Sequence, residues 1–167
     1  MNKAAILYSE YVPLIDAIIS ENNDTEFRLL TEFPENYEDF DLIIDVNFKD
    51  EVKSNVLKSH YSLLPAFSGE EPVKEAFLAG VKVTGITVYD SNRIIAQYPV
   101  FISNDAHFDD VERELVYLEQ VVFPIVIKKI LANEPIDLQN ALKGGKCGGK
   151  CGGKCGGKCG GCSECCH

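Results

Sequence analysis

The chain has no tryptophan, no cysteine among its first 142 residues, and no apolar run long enough to cross a membrane. Without cysteines, the body of the chain cannot depend on disulfides for its stability. A membrane-spanning helix needs about 20 consecutive apolar residues, and the N-terminus has acidic residues by position 10, unlike a signal peptide. We therefore expect a cytoplasmic protein with no membrane partner.

Positive charge is also scarce in the body of the chain. The formal net charge is −10, but residues 143–167 carry five lysines and one glutamate, so the first 142 residues carry −14. A body this acidic repels nucleic-acid phosphates and anionic lipid. We therefore expect no nucleic-acid partner.

The length of 167 residues suits one domain, and its first half alternates strand and helix patterns. "AAILYSE", "FRLLTE" and the apolar "FDLIIDVNF" are typical of buried strands. "VPLIDAIISEN" has apolar residues at helical spacing, and "KDEVKSNVLK" also predicts a helix. This alternation predicts an α/β fold with a mostly parallel sheet.

The second half predicts two helices and a hairpin. "EEPVKEAFLAG" has an early proline and a final glycine, which are start and stop signals for a helix. "VKVTGITVYD" and "RIIAQYPVFI" are rich in β-branched and aromatic residues and predict an antiparallel hairpin. Apolar residues at steps of three and four then predict one long helix from about Asp105 to Asn133.

Several motifs carry a family resemblance. "HYSLLPAFSG", "AFLAGVKVTGITVY", "IIAQYPV" and "LEQVVFP" occur in this order. Together they resemble the folate-dependent glycinamide ribonucleotide formyltransferases, over about residues 55 to 131. The resemblance implies a formyltransferase-like α/β fold in residues 1–142. It also implies transfer of a formyl group from 10-formyl-tetrahydrofolate to a small-molecule amine, as in purine biosynthesis.

The resemblance implies three catalytic positions, of which one is retained. His60 matches the family's catalytic histidine. Where the family has an asparagine two residues earlier, this chain has Lys58, a weaker candidate that donates hydrogen bonds but adds a charge. Asp90 is the nearest candidate for the family's catalytic aspartate, but the loop that carries it is shorter here.

The turn after the first strand departs further from the family. The resemblance implies a glycine-rich phosphate loop at a helix N-terminus, but this chain has Glu10, Tyr11 and Val12 after Ser9. A carboxylate facing a dianionic phosphate is unfavourable. One hypothesis is therefore a substrate without a phosphate, for which Glu10 would face a cationic amine.

The last 25 residues differ in kind from the body. They repeat Lys-Cys-Gly-Gly, and glycine at this density predicts a flexible tail over residues 143–167. Its soft ligands suit zinc, copper(I) or an iron–sulfur cluster. The candidate ligands are Cys147, Cys151, Cys155, Cys159, Cys162, Cys165, Cys166 and His167. Disulfide linkage to a protein partner, a thiol relay and a modifying enzyme acting on the tail are alternatives.

Two functions from different classes follow from these observations. The first is an enzyme that transfers a formyl group from 10-formyl-tetrahydrofolate, with its ancestral activity impaired or lost. The second is a non-catalytic formyltransferase-like scaffold, a pseudoenzyme that carries a metal-binding or redox tail.

Overall fold

The computed structural model describes residues 1–138, and its first three strands form a parallel sheet. The strands are Asn2–Leu7 (β1), Thr25–Leu30 (β2) and Leu42–Asp45 (β3), in the order β2-β1-β3. The central strand β1 ends in four consecutive residues that are fully buried. Such an uninterrupted apolar run is typical of a parallel strand covered on both faces.

The next three strands form an antiparallel sheet. They are Lys58–His60 (β4), Val83–Tyr89 (β5) and Ile94–Phe101 (β6), in the order β4-β5-β6. The hairpin predicted from the sequence is β5 and β6. A parallel bridge between Ile44 and Leu57 joins the two sheets.

Within residues 1–138, three α-helices cover these sheets: Pro13–Glu21 (α1), Pro72–Ala79 (α2) and Phe108–Leu131 (α3). The first two begin with proline, whose missing N–H costs nothing at the first helical position. The sequence predicted all three, but α3 is shorter at both ends than the range from Asp105 to Asn133.

The helix α3 packs on one face of both sheets and holds them together. Its C-terminal half, including the fully buried Phe123, packs against α1 and β1 in the largest apolar cluster. Its N-terminal half contributes Val111 and Leu115 to a second cluster, with Ile86 of β5 and Val100 of β6. The fold therefore places the middle of α3 opposite the junction of the sheets.

One sequence prediction was wrong: "KDEVKSNVLK", residues 49–58, is not a helix. Val52 and Val56 are four residues apart, which imitates one helical face. Instead, the Leu57 amide donates to the Ile43 carbonyl at 2.8 Å, and Val56 packs in the cluster under β1 and β3. Pairing with β3 therefore overrides the local helical pattern.

The α/β architecture, with a parallel sheet followed by an antiparallel hairpin and a closing helix, is as predicted. Within residues 1–138, no helix combines the length and the apolar character needed to span a bilayer. The tail at 143–167 lies outside the described residues.

Candidate functional site

A cavity of about 500 Å³ lies at the junction of the two sheets. Its walls come from the start of α1, the residues that follow β3, the end of β4 and the middle of α3. The polar residues that line it include Asn47, His60, Glu70 and Glu119. Open α/β sheets bind ligands outside the carboxyl ends of their parallel strands, which is where this cavity lies.

His60 is the last residue of β4, and its imidazole lines the cavity. Its Nε2 lies 2.9 Å from the carbonyl oxygen of Phe67. A carbonyl oxygen only accepts hydrogen bonds, so Nε2 carries the hydrogen and Nδ1 of the neutral ring is an acceptor. His60 can therefore take a proton at Nδ1.

The loop that contains Phe67 is hydrogen-bonded to Thr87 of β5. The Thr87 hydroxyl donates to the Ser62 carbonyl at 2.7 Å and accepts from the Leu64 amide at 3.0 Å. Gln97 on β6 adds two bonds from its amide nitrogen, to the Leu64 carbonyl at 2.9 Å and to Thr87 Oγ1 at 3.1 Å. Because Thr87 and Ser62 are fully buried, this network fixes the loop on the sheet.

A glycine allows this loop to approach the sheet closely. A Cβ at Gly85 of β5 would collide with the Tyr98 carbonyl and the Leu63 side chain. Phe67 has a φ of 50°, a left-handed conformation that costs energy in a bulky residue. The loop therefore keeps an energetically costly backbone conformation at Phe67, whose carbonyl contacts the His60 ring.

Glu119 of α3 faces the residues on either side of His60. Its carboxylate accepts hydrogen bonds from the Ser59 and Tyr61 hydroxyls. Burial raises the pKa of Glu119 above its usual range, and the two hydrogen bonds offset this only in part. Burial and the neighbouring carboxylate of Glu119 also raise the pKa of Tyr61, which keeps that hydroxyl protonated as a donor.

Glu119 was not singled out by the sequence analysis, although a signal for it exists. Leu115 and Phe123, four residues before and after it, are both fully buried, so Glu119 lies on the inward face of α3. A glutamate on that face needs a partner or a function.

The structure places Lys58 outside this lining. Its Nζ lies 2.9 Å from Asp45 Oδ2, and the Asp45 side chain is only 7% exposed. The other oxygen of Asp45 accepts from the Phe48 amide at 2.9 Å. The Lys58 side chain is thus engaged at the junction of β3 and β4 rather than in the cavity.

Asp90 does not reach the cavity. It lies three residues beyond Thr87, the β-sheet partner of His60, which is about 10 Å along a strand. Burial acts to raise its pKa, but hydrogen bonds from the Asn92 and Arg93 amides and from the Asn55 side chain lower that pKa overall. Asp90 is built into the β5–β6 turn.

The loop between β1 and α1 is closed by a residue that the sequence analysis also missed. Asn47 Oδ1 accepts from the backbone amides of Ser9 at 2.8 Å and Glu10 at 3.3 Å. Its side-chain nitrogen donates to the Glu10 carbonyl at 2.8 Å. The Glu10 carboxylate lies 3.5 Å from Lys49 Nζ, and both side chains are largely exposed.

The candidate metal ligands of the tail, Cys147 to His167, lie outside the described residues. Within residues 1–138, no group of three or more His, Cys, Asp or Glu side chains is arranged to hold a metal ion. Metal binding by the tail stays a prediction.

Comparison with known proteins gives consistent matches. A family model described as formyl transferase matches residues 38–127. Phosphoribosylglycinamide formyltransferase of Bacillus subtilis (strain 168) is 42% identical over 82 residues, which are 46% of this chain and 42% of that protein. Formyltetrahydrofolate deformylase 1, mitochondrial, of Arabidopsis thaliana is 34% identical over 95 residues, 53% of this chain and 27% of that protein. The chain therefore matches less than half the length of these curated relatives.

A solved structure gives the same fold. The glycinamide ribonucleotide transformylase 1 of Geobacillus kaustophilus superposes with a TM-score of 0.64 at 19% identity, over 78% of this chain and 99% of that chain. At this identity, the likeness concerns the fold alone.

Proposed function

Since the chain belongs to the formyl transferase family, we propose that it transfers a formyl group from 10-formyl-tetrahydrofolate to an amine. The family and the formyltransferase-like fold expected from the sequence are confirmed. The names of the relatives differ in the acceptor, since one is a phosphoribosylglycinamide formyltransferase and the other a deformylase. Family membership therefore supports the donor chemistry more strongly than any particular acceptor.

The position of His60 carries the proposal. An amine nitrogen that forms a bond to the formyl carbon becomes positively charged and must lose a proton. Nδ1 of His60 is an acceptor because Nε2 is occupied by the Phe67 carbonyl, so His60 accepts that proton. His60 then donates the same proton to the nitrogen that leaves the formyl carbon, which completes the transfer.

The cavity suits small reactants. Its volume of about 500 Å³ falls in the range of small-molecule sites. Val12, Leu14, Val46 and Val116 give it an apolar side, whereas His60 and Glu119 supply polar atoms. We assign the apolar side to the ring system of the donor, which would supply the activated formyl carbon as a substrate.

Glu119 has a role beside His60 in this proposal. An ionised carboxylate attracts the N–H groups of an amine, and both residues line the same cavity. Glu119 would hold the acceptor molecule through an amino group, while Ser59 and Tyr61 hold the carboxylate of Glu119 in place.

The test is formyl transfer by the full chain with 10-formyl-tetrahydrofolate and a panel of small amines. We expect His60→Ala to lower kcat by roughly 10²–10⁴-fold, the usual contribution of a positioned acid or base. His107→Ala is the matched control, because His107 is exposed at the start of α3 and does not line the cavity. Equal rates in both variants would overturn the role of His60, and donor consumption independent of any amine would make water the acceptor.

A further inference from the structure

The region before α1 is where an anionic group of a substrate would find backbone donors. Backbone N–H groups at a helix N-terminus form a general anion site, because they point at the ligand and carry the positive end of the helix dipole. The start of α1 lines the cavity through Val12, Pro13 and Leu14. An acceptor with a phosphate would be expected to place it here.

In this chain, several of those donors are already used or missing. The amides of Ser9 and Glu10 both donate to Asn47 Oδ1. Pro13, the first helical residue, has no N–H, and the Ile15 amide donates to the Val12 carbonyl at 3.0 Å. A phosphate bound by the Ser9 and Glu10 amides would have to displace the Asn47 amide, which makes three hydrogen bonds to this loop.

The charged side chains that line the cavity also disfavour binding of an anion. Two carboxylates, those of Glu70 and Glu119, line it, and within residues 1–138 no lysine or arginine does. Two lysines that contact segments next to the cavity are engaged: Lys49 pairs with Glu10, and Lys58 pairs with Asp45. A dianion would therefore meet two carboxylates without a compensating cation.

From this combination we infer that the acceptor is a phosphate-free amine carrying a second, cationic amino group. Asn47 occupies two of the backbone donors that a phosphate would use. The inference rests on the proposed function, because it assigns the acceptor class to the same cavity. One amino group of such a diamine would stay protonated beside the carboxylates of Glu119 and Glu70. The other would attack as the neutral amine.

The first experiment compares two acceptors of similar size, 1,3-diaminopropane and 2-aminoethyl phosphate, by calorimetric titration of the full chain without donor. We expect the diamine to bind at least tenfold more tightly than the aminophosphate. Glu119→Gln is expected to weaken diamine binding by about tenfold, since it removes a charged partner (about 1.4 kcal/mol per tenfold). Tighter binding of the aminophosphate by the wild-type chain would overturn the inference.

A second experiment tests Asn47 directly. Asn47→Gly frees the Ser9 and Glu10 amides and should change the ratio of the two affinities at least tenfold towards the aminophosphate. Asn47→Asp keeps an acceptor for both amides but adds a charge, so it should leave the aminophosphate excluded. Thermal unfolding of both variants identifies any loss of folding, and an unchanged ratio in a folded Asn47→Gly protein would contradict the role of Asn47.

The outcomes separate this inference from the proposed function. Diamine binding without formyl transfer to any amine would refute the proposed activity and support the assigned ligand class. Formyl transfer to the aminophosphate with equal or greater kcat/KM would support the activity and refute the ligand class.

Discussion

The ammonium group of Lys58 lies 2.9 Å from the carboxylate of Asp45 and ties the start of β4 to the end of β3. Asp45 is 7% exposed at its side chain and Lys58 is 38% exposed. Lys58 thus compensates the charge of a buried acid at the sheet junction.

Replacement of Lys58 by methionine is expected to destabilise the fold. Removing one partner of a buried ion pair leaves an uncompensated charge, which costs roughly 3–5 kcal/mol when fully buried. Because Lys58 is partly exposed, we expect about 1–3 kcal/mol in urea unfolding. The exposed Lys53→Met is the control, and Asp45→Asn in the Lys58→Met background should recover part of the loss. Equal stabilities of the two lysine variants would contradict the ion-pair assignment.

Asp90 is expected to matter for the turn and not for the chemistry. Asp90→Ala removes the acceptor of the Asn92 and Arg93 amides, at 2.8 and 3.0 Å. Each lost bond is worth about 1 kcal/mol, less where water replaces it. We expect a modest loss of unfolding free energy and unchanged kcat/KM, with Ser91→Ala as the control. A folded Asp90→Ala protein that loses turnover would return Asp90 to the catalytic site.

Thr87 is expected to be a positioning residue for His60. Thr87→Val keeps the shape but leaves the Ser62 carbonyl and the Leu64 amide without the Thr87 hydroxyl. The cost is about 1–3 kcal/mol for each buried group left unpaired. Because the loop also carries the Phe67 carbonyl that orients His60, kcat should fall more than KM changes.

Thr84 on the same strand supplies the control for this variant. It is 2% exposed, and within residues 1–138 its hydroxyl has no hydrogen-bond partner. Thr84→Val should therefore be neutral or stabilising, because it removes an unpaired buried hydroxyl. Similar losses of kcat in the two valine variants would show that the loop network does not position His60.

The raised pKa of Glu119 predicts a pH dependence of diamine binding. The cation needs the ionised carboxylate, so affinity should fall as pH drops through the raised pKa, above the ordinary glutamate value of about 4.3. His60 and Glu70 line the same cavity, and Tyr61, which follows β4, donates to Glu119. Ser59→Ala removes a hydrogen bond that lowers this pKa, so it should move the fall to higher pH. If the diamine affinity of the wild-type protein and of Ser59→Ala falls at the same pH, the pH dependence belongs to a group other than Glu119.

The same group affects stability with the opposite trend. A carboxyl group whose pKa is raised on folding binds more protons in the native state. Its stabilising contribution is therefore present at low pH and is lost as pH rises through the native pKa. In the window between the ordinary and the raised value, Glu119→Gln should lack this decline in unfolding free energy.

Local patterns were enough to predict the helices and the hairpin. Pro13, Pro72 and Gly80 mark helix ends through their own backbone chemistry, with Gly80 at a φ of 69°. The helix prediction for residues 49–58 was wrong because Val52 and Val56 fit a helical face as well as they fit an extended chain. Nothing local distinguishes that face from an extended chain packed on β3.

For the candidate site, the sequence could propose a residue only where a motif contained it. His60 follows from the family resemblance, whereas Glu119 and Asn47 act through contacts between residues distant in the chain. Ser59 and Glu119 are separated by 60 positions, and Ser9 and Asn47 by 38. The ion pair of Lys58 with Asp45 likewise depends on strands that meet only in the fold, whereas Asp90 is bonded within its own turn.

The isolated bridge between Ile44 and Leu57, next to the cavity, is a place where we expect the protein to open locally. Two backbone bonds close it, from the Asp45 amide to the Leu57 carbonyl at 2.9 Å and from the Leu57 amide to the Ile43 carbonyl at 2.8 Å. Their protons should exchange with deuterated solvent sooner than the Ile6 proton within the parallel sheet, because less structure must open to release them. A ligand in the cavity would contact residues on both sides of the Ile44–Leu57 bridge. Ligand binding should therefore appear first as slower hydrogen exchange at these two amides.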